Sequence, residues 1–408
     1  MASLPLGLGL LSSFLNTLVS RTGLHKKFNE RTVCFFKSCL NCILLKRFAE
    51  ADVLSTEILD NFSAIMIIDS SSWDIPKDLK WIFAGYGGSA SQANCKLQLC
   101  YDYKTGQALL MEETQGTLPD QKYGRNIPSV IKKGALVICD LGYWAFDTFW
   151  NIVLQKAFFL SRFNTKVQLW AKNDGKFVKI KLYEWLKKQT FGAIETEAYI
   201  RKGEKIIDIR LIAWKPPEEV INLRKMRLRK NAQKKGYTSS SESLAMCEWS
   251  IFITNADAKM IPSEMIRTCY RVRWNVELIF KSWKSVLNMH RTNVKSNTHR
   301  LKCELYAKLI LAVIVHKLHR YIHSYMWNQE RRELSFDKLW KHIDSDKQKL
   351  HEKIKEGITK FIDYINSKLD YIQILCEKYH QKHRKTTLQM IDEMIGDTMP
   401  IKLTLNSL

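Results

Sequence analysis

Within YRVRWNVELIFKSWK, Tyr270, Arg273, Glu277 and Lys284 bring a phenol, a guanidinium, a carboxylate and an ammonium into one short stretch. At about 100° per residue of helix they fall within an arc of roughly 60°. A carboxylate flanked by two cations and a hydroxyl is a surface that can face a phosphate or a metal ion. Arg273 and Glu277 at i and i+4 also describe an ordinary solvated ion pair, worth about 0.2–0.5 kcal/mol. Both readings stand on these residues alone.

The elements that would position such a wall can be read outward from it. Pro262, Ser263 and Glu264 are helix-start signals, and no further Gly or Pro occurs before Asn288, so one long helix is predicted over 261–288. Val272, Val276, Ile279, Phe280, Trp283 and Leu287 form its apolar stripe. Upstream, SAIMIID reads as a buried strand ending in Asp69, and ALVICD as a second ending in Asp140. Between them KLQLCYDY and QALLMEE flank Lys104-Thr105-Gly106 as a hairpin, and a short helix is expected at 127–133. An Asp closing a strand is often a turn former or helix cap instead. Asp74, Asp78 and Asp147 are the competing acids, set aside because they read as loop or following-helix positions.

The spacing Y-x2-R-x3-E-x6-K is met at all four positions, and RWNVELIFK surrounds Glu277. In this the chain resembles the DDE transposases of bacterial insertion sequences, the large group typified by insertion sequence four. IDSSSW around Asp69 and CDLGYWAFDTF after Asp140 resemble the segments at that family's first and second acids. The resemblance implies a DNA transposase with Asp69, Asp140 and Glu277 as catalytic and metal-binding residues. They would hold two Mg2+ ions, with Mn2+ able to substitute. Three carboxylates suit such hard cations, which activate water or a 3′-hydroxyl and steady the leaving oxygen.

The same resemblance implies DNA contacts from Tyr270, Arg273 and Lys284. Trp249 stands 21 positions before Tyr270, where related transposases stack a Trp on a flipped base; on residue type alone a buried core Trp is the leading reading. Arg162 in FFLSRF is a further DNA-contact candidate or a structural ion-pair residue, and Tyr270 a half-buried aromatic. The expected fold is α/β (α+β), a ribonuclease H-like catalytic core carrying a β-rich insertion domain, with helical N- and C-terminal parts.

Domain boundaries follow. Residues 1–60 read as a helical segment with Thr22 as a cap, shorter than the DNA-binding domain the resembling family has there and so expected to be a truncated one. The core is placed at 61–164 and 249–325. Residues 165–248 read as the insertion: KVQLW, KFVKIKLYEW, AIETEAYI and KIIDIRLIAW as strands, turning at Asn173-Asp174-Gly175 and Gly203. A basic segment follows, with seven Lys or Arg from Arg224 to Lys235, either a solvated helix or a phosphate-tracking one. Residues 326–408 read as helical. Their stripe from Leu350 through Ile354, Ile358, Phe361, Ile365 and Leu369 to Ile372 suits a packed helix pair or a coiled-coil seam, and a homodimer on DNA is expected.

Composition agrees with these expectations. Of 408 residues 46% are hydrophobic and 26% charged, which excludes a disordered chain. The net charge of +23 calls for a polyanion, and double-stranded DNA, as element ends and target, is the partner it fits. Ten cysteines contain only one C-x2-C, Cys39 and Cys42, so a structural zinc site is not expected and reduced thiols in the cytoplasm are. The apolar leader LPLGLGLLSSFLNTLVS lacks a basic start and a cleavage site, and the run 309–316 is too short to span a bilayer, so no membrane partner is expected. There is no P-loop and hence no nucleotide cofactor. A cytoplasmic, nucleoid-associated protein results. Two other classes share these features: a catalytically silent DNA-binding or dimerising product, and a magnesium nuclease.

Overall fold

A computed structural model of the chain describes residues 20–45, 57–189, 193–379, 386 and 388–390. The apolar leader, save its last residue, the stretch 46–56 and the C-terminal end from 391 lie outside the described residues. The fold is mixed α/β, built on a ten-stranded sheet in the order β3-β2-β1-β4-β5-β10-β9-β8-β6-β7. Its strands are β1 Ile65–Asp74, β2 Asn94–Asp102, β3 Gln107–Gln115, β4 Leu136–Cys139, β5 Phe158–Arg162, β6 Leu169–Asn173, β7 Lys176–Ile180, β8 Ala193–Lys202, β9 Lys205–Trp214 and β10 Ser250–Thr254. β1 and β5 flank β4 in parallel, and every other pairing is antiparallel.

The apolar runs IMII, LVIC and FFLS become the parallel centre because both of their faces are covered. Period-two alternation divides them between two cores. Ile65, Ile67, Leu136, Ile138 and Leu160 face one, with Leu40 and Leu44 of helix Glu30–Leu45, Val276 and Phe280 of helix Trp274–Ser285, and Leu305 and Leu309 of helix Thr298–Glu330. Met66, Ile68, Val137, Cys139 and Phe159 face the other, with Phe149 and Ile152 of helix Phe146–Leu154.

The hairpin of β2 and β3 forms as expected. β6–β9 extend the same sheet through the pairing of β9 with β10. Asp174 and Gly175, both at positive φ, join β6 to β7 as a two-residue turn whose twist suits a hairpin. Several local expectations need correction. KLYEW does not continue β7, since Leu182–Lys187 is a helix that buries Leu186. The helix expected at 127–133 begins earlier, as Asp120–Tyr123 after Pro119, and runs on as a 3-10 turn to Val130. At the N-terminus Ser20, rather than Thr22, caps helix Arg21–Lys27 by accepting from the Gly23 N–H at 3.0 Å.

The long helix 298–330 locks onto the β2–β3 turn. Arg320 is buried, and its Nη2 donates to the carbonyls of Tyr103 (2.5 Å) and Lys104 (2.8 Å). Gly106 at the turn has φ +70°, and a Cβ there would lie 2.3 Å from Arg320 Cγ. Arg320→Ala is therefore expected to cost on the order of 2–4 kcal/mol, by leaving two carbonyls unpaired and a void beneath the turn. Urea unfolding of the variant checks this, and a midpoint within error of the parent's would refute it.

Towards the C-terminus, Gly357 at φ +116° divides the expected stripe between helices Lys347–Glu356 and Ile358–Leu375, which pack on each other. The packed-pair alternative thus describes part of that periodicity, while Ile354 of the same stripe stays exposed. Among the described residues no helix is long and apolar enough to cross a membrane.

Candidate active site

Register brings the first two acids together. The parallel pairing of β1 with β4 ends at Ile68 opposite Cys139, so Asp69 and Asp140 follow side by side on strands about 4.8 Å apart. Asp69 does not end its strand as expected. β1 runs on to Asp74, held on its other edge by β2, and Asp69 sits where the β4 neighbour stops. Asp140 heads the 3-10 turn Leu141–Tyr143 without a capping bond from its side chain, so the helix-cap reading does not describe it. Its Oδ1 instead accepts from the Tyr270 hydroxyl at 3.1 Å.

The predicted 261–288 helix forms in two pieces, Ile266–Arg271 and Trp274–Ser285, after a 3-10 turn at 263–265. Val272 and Arg273 keep right-handed helical dihedrals, but the bonds tighten. The N–H groups of Val272, Arg273, Asn275 and Val276 all reach back three residues, at 3.0–3.2 Å. Asn275 contributes by donating from Nδ2 to the Val272 carbonyl at 2.8 Å, which otherwise would receive a backbone N–H four residues on. The expected apolar stripe is buried throughout, from Val272 to Leu287.

This tightened turn aims Arg273 at two acids. Nη1 donates to Asp69 Oδ2 at 3.0 Å and Nη2 to Glu277 Oε1 at 2.6 Å, so one planar fork links β1 to the helix. Arg273 is 7% exposed, far from the solvated pair its spacing also allowed. Its guanidinium lies 5.5 Å from the Trp274 ring and 5.9 Å from that of Tyr270, and its Nε has no partner. Asp69 completes its shell by accepting from the Ser70 N–H at 2.8 Å. Lys284 ties the far end of β1 to the helix, donating to the Ser72 carbonyl at 2.8 Å with its Nζ 5.8 Å from the Trp73 ring.

The electrostatics are those of a buried carboxylate with like charges beside it. Burial pushes the Asp69 carboxyl up to about 6; Glu277 and Asp140 push the same way, while the Ser70 N–H and Arg273 pull it down. Burial opposes the charge on Arg273, but Tyr270, Glu277, Asp140 and Asp69 together raise its pKa further. Tyr270 is buried against Phe252, and burial with the Asp140 charge holds its phenol well above the usual range. The half-buried aromatic reading therefore understates this residue, whose hydroxyl is committed to an acid.

As placed, the acids do not form a ready three-ligand cage. Among the described residues no three His, Cys, Asp or Glu side chains converge enough to hold one ion, because Arg273 stands between Asp69 and Glu277 and Tyr270 holds Asp140. The donors nevertheless fit a hard divalent cation. They are all carboxylate oxygens, they repel one another, and their repulsion is met by a single inserted cation.

Trp249 is 8% exposed, its ring in the core with Ile251 and Ile253 and the Lys215 ammonium 6.0 Å away. It occupies the core position that was the alternative to base stacking, and a base would reach it only after that packing opened. Arg162 ends β5 beside Arg224, whose pKa is lowered by burial and by the Arg162 charge. Arg224, first of the basic run, is not a solvated residue. Its guanidinium donates to the Trp249 carbonyl (3.1 Å) and Ser250 Oγ (2.9 Å), fixing helix Glu218–Lys234 to the head of β10.

The three competing acids lie elsewhere: Asp74, expected in a loop, instead ends β1 and accepts from Asn94, Asp147 pairs with Lys202, and Asp78 sits in a 3-10 turn. Sequence reasoning missed Asp120. Its Oδ1 accepts from Ser70 Oγ (3.0 Å), Gln98 Nε2 (3.2 Å) and Lys96 Nζ (3.2 Å), buttressing the residue after Asp69. The Pro119-Asp120 pair signals only a helix start, which hides this role.

Comparison with known proteins agrees with the motif. A family model described as "Transposase DDE domain" matches residues 60–314. The transposase for insertion sequence element IS231E of Bacillus thuringiensis subsp. finitimus is 28% identical over 408 residues, covering 96% of this chain and 85% of that protein. The transposase for IS1151 of Clostridium perfringens is 25% identical over 389 residues, covering 91% and 82%. The putative transposase InsL for IS186A of Escherichia coli K12 is 30% identical over 106 residues, 26% of this chain and 28% of its own.

Proposed function

The chain belongs to the transposase DDE domain family, and from that premise we propose that Asp69, Asp140 and Glu277 are the carboxylates with which it cuts and joins DNA. It is a DNA transposase of insertion-sequence type, and the readings as a silent DNA-binding product or a repair nuclease are not favoured by relatives named as transposases. The observation that carries the site is the placement of Asp69 beside Asp140 across the β1–β4 register, with Arg273 joining Asp69 to Glu277.

The family uses divalent metal ions. Two Mg2+ ions, held by the three acids, would activate the attacking hydroxyl and steady the leaving oxygen. In the first step water oxygen bonds to phosphorus at the element end, the P–O3′ bond breaks and the 3′ oxygen departs with a proton. The freed 3′-hydroxyl then attacks a target phosphodiester in the same way, releasing a target 3′ end, and no protein–DNA bond is made. Arg273 neutralises Asp69 and Glu277 and, once the acids are engaged, is the planar fork that meets a DNA phosphate. Tyr270 keeps Asp140 turned inward, and once a cation takes that carboxylate its released hydroxyl would donate to a phosphate instead. Lys284 adds a point charge where β1 leaves the site.

The proposed fold around this chemistry is a ribonuclease H-like core at 61–164 and 249–325, interrupted by the insertion 165–248, with 326–408 as the region that pairs two copies on DNA. Sedimentation of the DNA complex with and without 326–408 tests the last assignment; a dimer that survives the deletion would remove it.

The enzymatic reading is tested with purified protein and plasmid DNA carrying the element's ends. Strand transfer in Mg2+ or Mn2+, lost on chelation and restored by adding back the ion, is expected. Cutting without joining would leave a nuclease, and binding without cutting a DNA-binding factor.

A further inference from the structure

The connection from β1 to β2, residues 75–93, projects from the strand that carries Asp69. Its base is fixed: Ile75, Leu79 and Phe83 are buried, and the backbone closes through Ile75 N to Ala93 O (3.1 Å), Gly85 N to Gln92 O (2.9 Å) and Asn94 N to Phe83 O (2.9 Å). From this base Trp81 stands 86% exposed and Tyr86 75% exposed, with Ile82 also open. Exposed large aromatics on a fixed loop are uncommon unless something covers them. The Lys80 ammonium lies 5.1 Å from the centre of the Trp81 ring, and Lys77 is close in sequence. An exposed indole beside a cation, with an exposed phenol on the same loop, offers stacking surfaces for nucleobases, which every base can use through its π face.

Placement favours DNA over other occupants. Asp74 is five residues beyond Asp69, about 17 Å along an extended strand, a length spanned by about five base pairs of duplex. Lys284 and Ser72 lie between. A duplex held at the acids and tracked along β1 would meet the root of this loop, whereas Trp249, for which the resemblance implied stacking beside a core reading, is enclosed.

We propose that Trp81, with Tyr86 on the same loop, offers a stacking surface for DNA bases, engaging a nucleotide unstacked from the duplex beyond the Asp74 end of β1. The inference rests on the chain's action on DNA, and the test separates the two. Full-length protein is titrated onto two short duplexes, one fully paired and one with an unpaired 2-aminopurine at its centre. Wild type is expected to prefer the second and quench its fluorescence. Trp81→Ala should lose the quench and about tenfold in affinity for that duplex, while Trp81→Phe keeps most of both. Because the ring is exposed, the thermal midpoint of Trp81→Ala should equal that of wild type.

Equal affinity and quenching in wild type and Trp81→Ala would overturn the proposal. So would a change of oligomeric state without a change in DNA affinity, which would make the loop a contact between two copies. Failure of wild type to bind either duplex would overturn the DNA-acting premise itself.

Discussion

Asp140→Ala should abolish strand cleavage and strand transfer, lowering the rate on the order of 10³-fold or more, while DNA affinity holds or rises. The loss follows from removing one of the oxygens that place charge at the phosphate, a contribution of several kcal/mol to the barrier. The gain in affinity follows from removing a carboxylate that repels DNA. Structural collapse cannot produce the same result, because Asp140 supports little of the fold. Its side chain makes no helix cap, and its hydrogen-bond partner is the Tyr270 hydroxyl, which stays packed against Phe252. The stability cost is expected to be about 1 kcal/mol. A gel shift, a cleavage assay and a thermal melt on one preparation separate these quantities. Unchanged cleavage would remove Asp140 from the chemistry and with it the three-acid site.

Much of this site was open to reading because its parts have strong local signals. IMII and LVIC read as central strands, and the pairing register then sets the acid that follows each beside the other, Asp140 just past the end of β4 and Asp69 within β1. The burial of the stripe from Val272 to Leu287 follows from period alone. What periodicity cannot express is competition for a single carbonyl. Asn275 takes the Val272 oxygen with its side chain, the helix tightens, and Arg273 turns toward an acid 204 positions away. Such a pair has no local trace.

KLYEW was misread for a related reason, since its apolar residues fit either period and burial of Leu186 decided for helix. Trp249 and Trp81 show the limit in opposite senses. The family resemblance implied a stacking role for Trp249, which is enclosed as the core reading of that residue had it, and nothing in the sequence drew notice to Trp81, which stands in solvent. Exposure is a property of the assembled sheet and not of the segment.

The burial of Asp69, reinforced by the neighbouring acids, leads to a second large effect, this time on stability. The Asp69 carboxyl titrates near 6 in the folded chain against an ordinary 3.8, so the folded state binds its proton more tightly than the unfolded state does. Ionising Asp69 therefore opposes folding. The cost is present in full above pH about 6, shrinks as pH falls through the folded value, and is gone below the ordinary one. At 1.36 kcal/mol per unit, the difference of 2.2 between those two values sets its size at about 3 kcal/mol at most.

Asn at this position carries no charge, as in the neutral acid. Its one amide oxygen can accept from the Ser70 N–H or from Arg273 but not from both, since those bonds end on different oxygens of Asp69, so the gain expected is charge removal less one bond. Asp69→Asn is thus expected to melt a few degrees above wild type at pH 7.5, to match it near pH 4, and to cut no DNA. Paired melts at the two pH values check the sign. A variant less stable than wild type at pH 7.5 would mean that the Arg273 pair outweighs burial and like-charge repulsion. The cluster would then be a stabilising ion-pair network, without the excess negative charge that a divalent cation is needed to relieve.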